Sequence, residues 1–88
     1  MIPFETIWKR IEQHQCKKFY QIRGQEFTYE VISGAVVPNI TNQQLPKSHF
    51  EKAAKLLPLK NTVTVQDLRG PSYLYAILTD RRISQDDW

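Results

Sequence analysis

The chain is short of the residues on which most recognisable chemistry is built. It holds a single cysteine, Cys16, among 88 residues, so no disulfide can close within it. Its two histidines, His14 and His49, are distant, and His14 with Cys16 supplies only two ligands where a zinc site needs three or four at a set spacing. Lys17 and Lys18 beside Cys16 favour a thiolate, yet no base or orienting group follows from the pattern, which leaves Cys16 an incidental thiol. The three glycines, Gly24, Gly34 and Gly70, are isolated, so no Gly-rich loop ending in Lys-Ser/Thr is available to cradle phosphate. The acids are scattered and give no pair for acid–base work. No catalytic residue, metal or cofactor is expected.

Long apolar runs are also missing. None approaches the roughly 20 residues that cross a bilayer, and the residues after Met1 lack the basic, apolar and small-residue regions of a signal peptide. With one cysteine, the expected setting is the reducing cytoplasm, with no membrane partner.

What is present suits a small globular domain: 41% hydrophobic, 11% aromatic and 24% charged residues. A chain of this size buries only about 60 to 65% of its unfolded surface, so its stability is modest. The formal charge is +3, and because Asp86 and Asp87 are among the nine acids, residues 1 to 83 carry twelve Lys and Arg against seven Asp and Glu, a balance of +5. That balance permits an anionic partner, and it equally suits a solvated basic surface.

Apolar periodicity sets the order of elements. Phe4, Ile7, Trp8 and Ile11 fall at i, i+3, i+4 and i+7, which predicts a helix near residues 3 to 14 with Trp8 in the core. Residues 18 to 22 and 25 to 32 read as strands around Arg23-Gly24. A two-residue loop there turns Tyr20 and Ile22 inward with Phe27, Tyr29 and Val31, whereas a three-residue loop turns Phe19 inward instead. Ser33-Gly34 leads to a third strand at Ala35 to Val37, closed by Pro38, and 39 to 46 reads as a loop.

Ser48 and Glu51 have the spacing of a capping box, opening a helix whose stripe is Phe50, Ala53, Ala54 and Leu57 and which stops at Pro58. Thr64 and Asp67 suit a short helical turn, although Val63 to Val65 also suits a brief strand. A last helix runs from Pro71 to about Thr79, with Tyr73, Leu74, Ile77 and Leu78 on one side and Tyr75 on the other. The fold class is therefore α+β: a three-stranded antiparallel meander packed with an N-terminal helix and a C-terminal helical segment, in the order α-β-β-β-α-(short α)-α. Residues 1 to 83 form one domain and 84 to 88 a frayed tail.

Cationic residues gather in the second half. Lys47, Lys52, Lys55 and Lys60 surround the second helix, and Arg69, Arg81 and Arg82 flank the last one, giving the outline of a helix-turn-helix. Against that outline, Tyr73 to Leu78 has few side chains able to read bases.

Three segments carry a resemblance: the hairpin Ile22 to Val31, the helix start Pro46 to Glu51, and Gly70 to Leu78. They resemble an uncharacterised family of small bacterial proteins over nearly the full length, and are more loosely similar to non-catalytic modules accompanying restriction-type endonucleases. Neither resemblance carries a motif of known chemistry, and the second implies nucleic-acid contact without cleavage. The expected function is thus a non-catalytic binding module, with duplex DNA held by Lys47, Lys52, Lys55, Arg69, Arg81 and Arg82. The alternative is a protein-interaction or homodimeric adaptor using Tyr75, Trp88 and Tyr20, since aromatics are enriched at interface hot spots, with an unpaired strand edge as a second route to pairing. A small-molecule pocket around Ser72, Tyr73 and Tyr29 ranks below both.

Overall fold

A computed structural model describes residues 2–88 as an α+β domain. Helix α1 (Phe4–Gln13) is followed by strands β1 (Phe19–Tyr20), β2 (Glu26–Phe27), β3 (Tyr29–Ile32), β4 (Ala35–Pro38) and β5 (Leu45–Pro46). Then come α2 (Lys47–Ala54), a 3-10 turn at Val63–Val65, α3 (Pro71–Thr79) and α4 (Arg81–Ser84). No helix is long and apolar enough to cross a membrane among these residues.

Instead of one meander, the strands form two antiparallel sheets, β1-β2 and β3-β4-β5. The predicted strand at 25 to 32 is broken at Thr28, whose N–H donates to the Asn39 side chain at 2.8 Å and whose carbonyl accepts from the Asn39 N–H at 2.9 Å. A polar side chain outside the ladder thus takes the backbone groups that would have continued it. The expected loop at 39 to 46 also ends in a strand, because Leu45 pairs with Val36 and brings its fully buried side chain into the core.

The register of the first hairpin decides its faces. Phe19 opposes Phe27 and Tyr20 opposes Glu26, with Gln21 N–H bonded to the Gln25 carbonyl, so the loop proper has three residues, 22 to 24. Phe19 is therefore inside, while Tyr20 and Ile22 are exposed. Gly24 takes the positive φ of this turn, +86°.

Two aromatic groups organise the core. Trp8 meets Phe50 edge-on with ring centres 5.8 Å apart, joining α1 to α2. Phe19 stacks near Phe27 and Tyr29, and Phe27 meets Tyr73 of α3 edge-on at 4.9 Å. Both helical stripes, led by Trp8 and Phe50, are buried as their spacing predicts. The Tyr29 hydroxyl donates to the Ile11 carbonyl at 2.6 Å, tying sheet to helix.

Helix ends are closed differently from expectation. The Ser48–Glu51 capping box does not form: α2 starts at Lys47, two residues earlier than a Ser48 N-cap would place it, with Pro46 as its extended N-cap and no side-chain cap. Pro46 is held in β5, so the strand rather than Ser48 sets where the helix begins. Val63–Val65 is a helical turn and not a strand, and its first N–H is met by Asn61 rather than by Thr64. Residues 84 to 88 are docked and not frayed. Arg10 donates to the carbonyls of Ile83 and Ser84 and pairs with Asp87 at 2.7 Å, while the Trp88 indole N–H donates to the Leu78 carbonyl at 2.7 Å. A cation at the exposed carbonyls of a helix C-terminus satisfies groups that the helix itself leaves unpaired.

Candidate nucleic-acid interface

Four of the twelve cationic side chains are committed to ion pairs: Arg10 with Asp87, Lys18 with Glu26, Lys47 with Glu5 and Arg82 with Asp80. The other eight have no anionic partner among the described residues. Five of the nine acids are likewise unpaired there, so the excess of three positive charges sits on side chains free to meet another molecule.

The expected phosphate contacts divide into two groups and two departures. Lys52 on α2 and Lys55 at its C-cap are exposed, and the Arg69 backbone is tied to the start of the same helix, its N–H donating to His49 Nδ1 at 3.0 Å. Arg81 is exposed on α4, which packs against α1 and α3, away from this α2 surface. Lys47 departs: its ammonium lies 3.2 Å from Glu5 and 5.6 Å from the Trp8 ring, locking α2 to α1. Arg82 departs further, and becomes the most constrained cation of its surface.

Arg82 donates through Nε and Nη2 to both oxygens of Asp80 and through Nη2 to the Lys18 carbonyl at 2.7 Å, with its guanidinium over the Phe19 ring. Asp80 in turn caps α4 by accepting from the Arg82 N–H. Burial of the Asp80 carboxyl tends to raise its pKa, but the hydrogen bonds and charge of Arg82 outweigh that and hold it below the usual value. The same pairing pushes Arg82 up. Arg82 is thus a tether that fixes α4 against the start of β1.

That tether assembles a surface which the sequence alone did not mark. It ties the Arg81-Arg82 pair to the Lys17-Lys18 pair through one bond, from Arg82 to the Lys18 carbonyl. On the solvent side of the hairpin, Lys18 and Tyr20 both reach Glu26, whose carboxylate oxygens lie 4.0 Å from the ammonium and 3.3 Å from the hydroxyl. Lys18 and Tyr20 are therefore side by side, and Tyr20 is 56% exposed. The adjacent dibasic pair just before an alternating strand was the one available signal.

Of the aromatic residues expected at a protein interface, only Tyr20 is free. Tyr75 is half-buried against the core, and Trp88 is half-buried with its N–H used at Leu78. The strand-edge route is closed along β3, where Cys16 N–H donates to the Tyr29 carbonyl and the Gln15 side chain accepts from Val31 N–H. Ser72, Tyr73 and Tyr29 do not converge: Ser72 lines a groove of about 440 Å³ with Gln21, Ile22, Arg23 and Thr62, whereas Tyr29 borders a different cleft and Tyr73 packs on Phe27. Helix α3 buries Leu74, Ala76, Ile77 and Leu78, so the helix-turn-helix outline lacks a free recognition helix. No group of three potential metal ligands occurs among the described residues.

Comparison with protein families, with curated proteins and with solved structures yields no match. Function must be read from the chain's own surface.

Proposed function

We propose that this protein is a non-catalytic nucleic-acid-binding module. The observation that carries this reading is the bond from Arg82 to the Lys18 carbonyl, which joins two dibasic pairs, Arg81-Arg82 and Lys17-Lys18, whose nearby carboxylates Asp80 and Glu26 are already paired. Phosphates are the anions such a surface of Lys and Arg meets best, because several charges act together and each contact releases condensed counterion. The looser resemblance of residues 22 to 31, 46 to 51 and 70 to 78 to modules that accompany endonucleases points the same way. Lys52, Lys55 and Arg69 are further exposed cations at α2, its C-cap and the segment bonded to its start.

Binding of a labelled mixed-sequence oligonucleotide, titrated at increasing salt, tests this. With Lys18 and Arg82 already ion-paired, Lys17 and Arg81 give about two phosphate contacts and a log–log salt slope of about −1.4 to −1.8. Charge reversal at Lys17 and Arg81 should abolish binding without unfolding the chain, since both side chains are exposed. Absence of binding at low salt overturns the reading.

A further inference from the structure

Resting on that reading, we infer that the ligand of the β1–α4 surface is a single strand, with Tyr20 as a platform on which a base stacks. Three observations converge. Tyr20 is the one aromatic side chain of the described residues that is largely exposed. It is held in place: its strand pairs through the Phe19–Phe27 register, and its hydroxyl donates to Glu26. It is also next to Lys18, both reaching Glu26, and Arg82 of α4 is bonded to the Lys18 carbonyl.

An exposed ring beside Lys18, at the place where the Arg81-Arg82 pair is tethered, matches the demand of an unpaired strand, whose bases need a π-face and whose phosphates need charge along the same path. A duplex presents no free base face to Tyr20. Its major groove takes a protruding helix or a two-stranded ribbon, whereas α3 is packed into the core, α4 has only four residues and the β1–β2 ribbon pairs only two residues a strand. The charged groups that flank the ring are Lys18 and Glu26, with Arg82 and Asp80 behind the strand at α4. Asp80 is turned into α4 as its cap, so Glu26 is the carboxylate that opposes a phosphate here.

Fluorescence anisotropy with a short oligo(dT), against a blunt duplex of equal length at low salt, decides the matter. The single strand should bind more tightly. Tyr20→Ala should weaken it about tenfold, the loss of one base–ring stack, while Tyr20→Phe keeps affinity and Glu26→Gln raises it. Circular dichroism of each variant should match the parent, because Tyr20 and Glu26 are on the solvent face. Oligo(dT) binding that ignores Tyr20→Ala, or a duplex bound more tightly, overturns the single-strand inference and leaves the nucleic-acid reading intact. Binding of neither probe removes both.

Discussion

The Arg82 guanidinium carbon lies 4.1 Å from the centre of the Phe19 ring, capping a core aromatic with a cation that also holds Asp80 and the Lys18 carbonyl. Arg82→Ala should cost about 1–2 kcal/mol, since a cation–π contact and charge-assisted hydrogen bonds at a half-exposed site go together. Arg82→Lys should recover only part, because an ammonium cannot make the planar fork. Denaturant unfolding measures both; equal stability of Lys and Arg variants would show that charge alone matters.

Acid should weaken the fold through Asp80. Its carboxyl ionises at lower pH in the folded chain than the usual 3.8, so its ionised form contributes stability above about pH 4 that fades as pH falls through the lower folded value. Asp80→Asn should be less stable at neutral pH and show a flatter acid limb in urea midpoints. Parallel limbs for variant and parent would contradict this.

Alkali should act through Tyr29. Burial, more than offsetting the lowering effect of Arg82, raises its phenol above the usual 10.0, so its neutral form contributes stability below pH 10 that is lost as pH rises further. Tyr29→Phe should cost about 0.5–1.5 kcal/mol at neutral pH by loss of the bond to Ile11. The variant should also lose part of the alkaline sensitivity, followed by tryptophan fluorescence.

Gly70 has φ +64°, and a Cβ there would stand 2.5 Å from Leu45 Cδ2. Gly70→Ala therefore combines left-handed strain with overpacking of a buried leucine and should cost about 2–4 kcal/mol. A thermal midpoint near that of the parent would show that β5 can move aside.

Removing residues 84 to 88 should destabilise the domain by about 1–3 kcal/mol, as a docked tail and not a loose one. Arg10→Ala should cost less in that deletion than in the full chain, because two of the three groups its guanidinium serves, the Ser84 carbonyl and the Asp87 carboxylate, leave with the tail while the Ile83 carbonyl stays. Full additivity in the double-mutant cycle would argue against the coupling.

The pattern of residues determined the α+β class, the buried stripes of α1 and α2 and the extent of α3, because helical spacing of Phe4 to Ile11 or Phe50 to Leu57 is local information. It left the parity of the first hairpin open between Phe19 and Tyr20, since one loop residue reverses every face. Only tertiary structure decided what local pattern cannot encode. Asn39 broke the strand at Thr28, Leu45 added one at β5, and Arg10 and Leu78 held the tail across separations of up to 77 residues. The candidate surface is of that second kind: Arg82 reaches Lys18 across 64 residues, and a contact between side chains so distant in the chain leaves no periodicity to read.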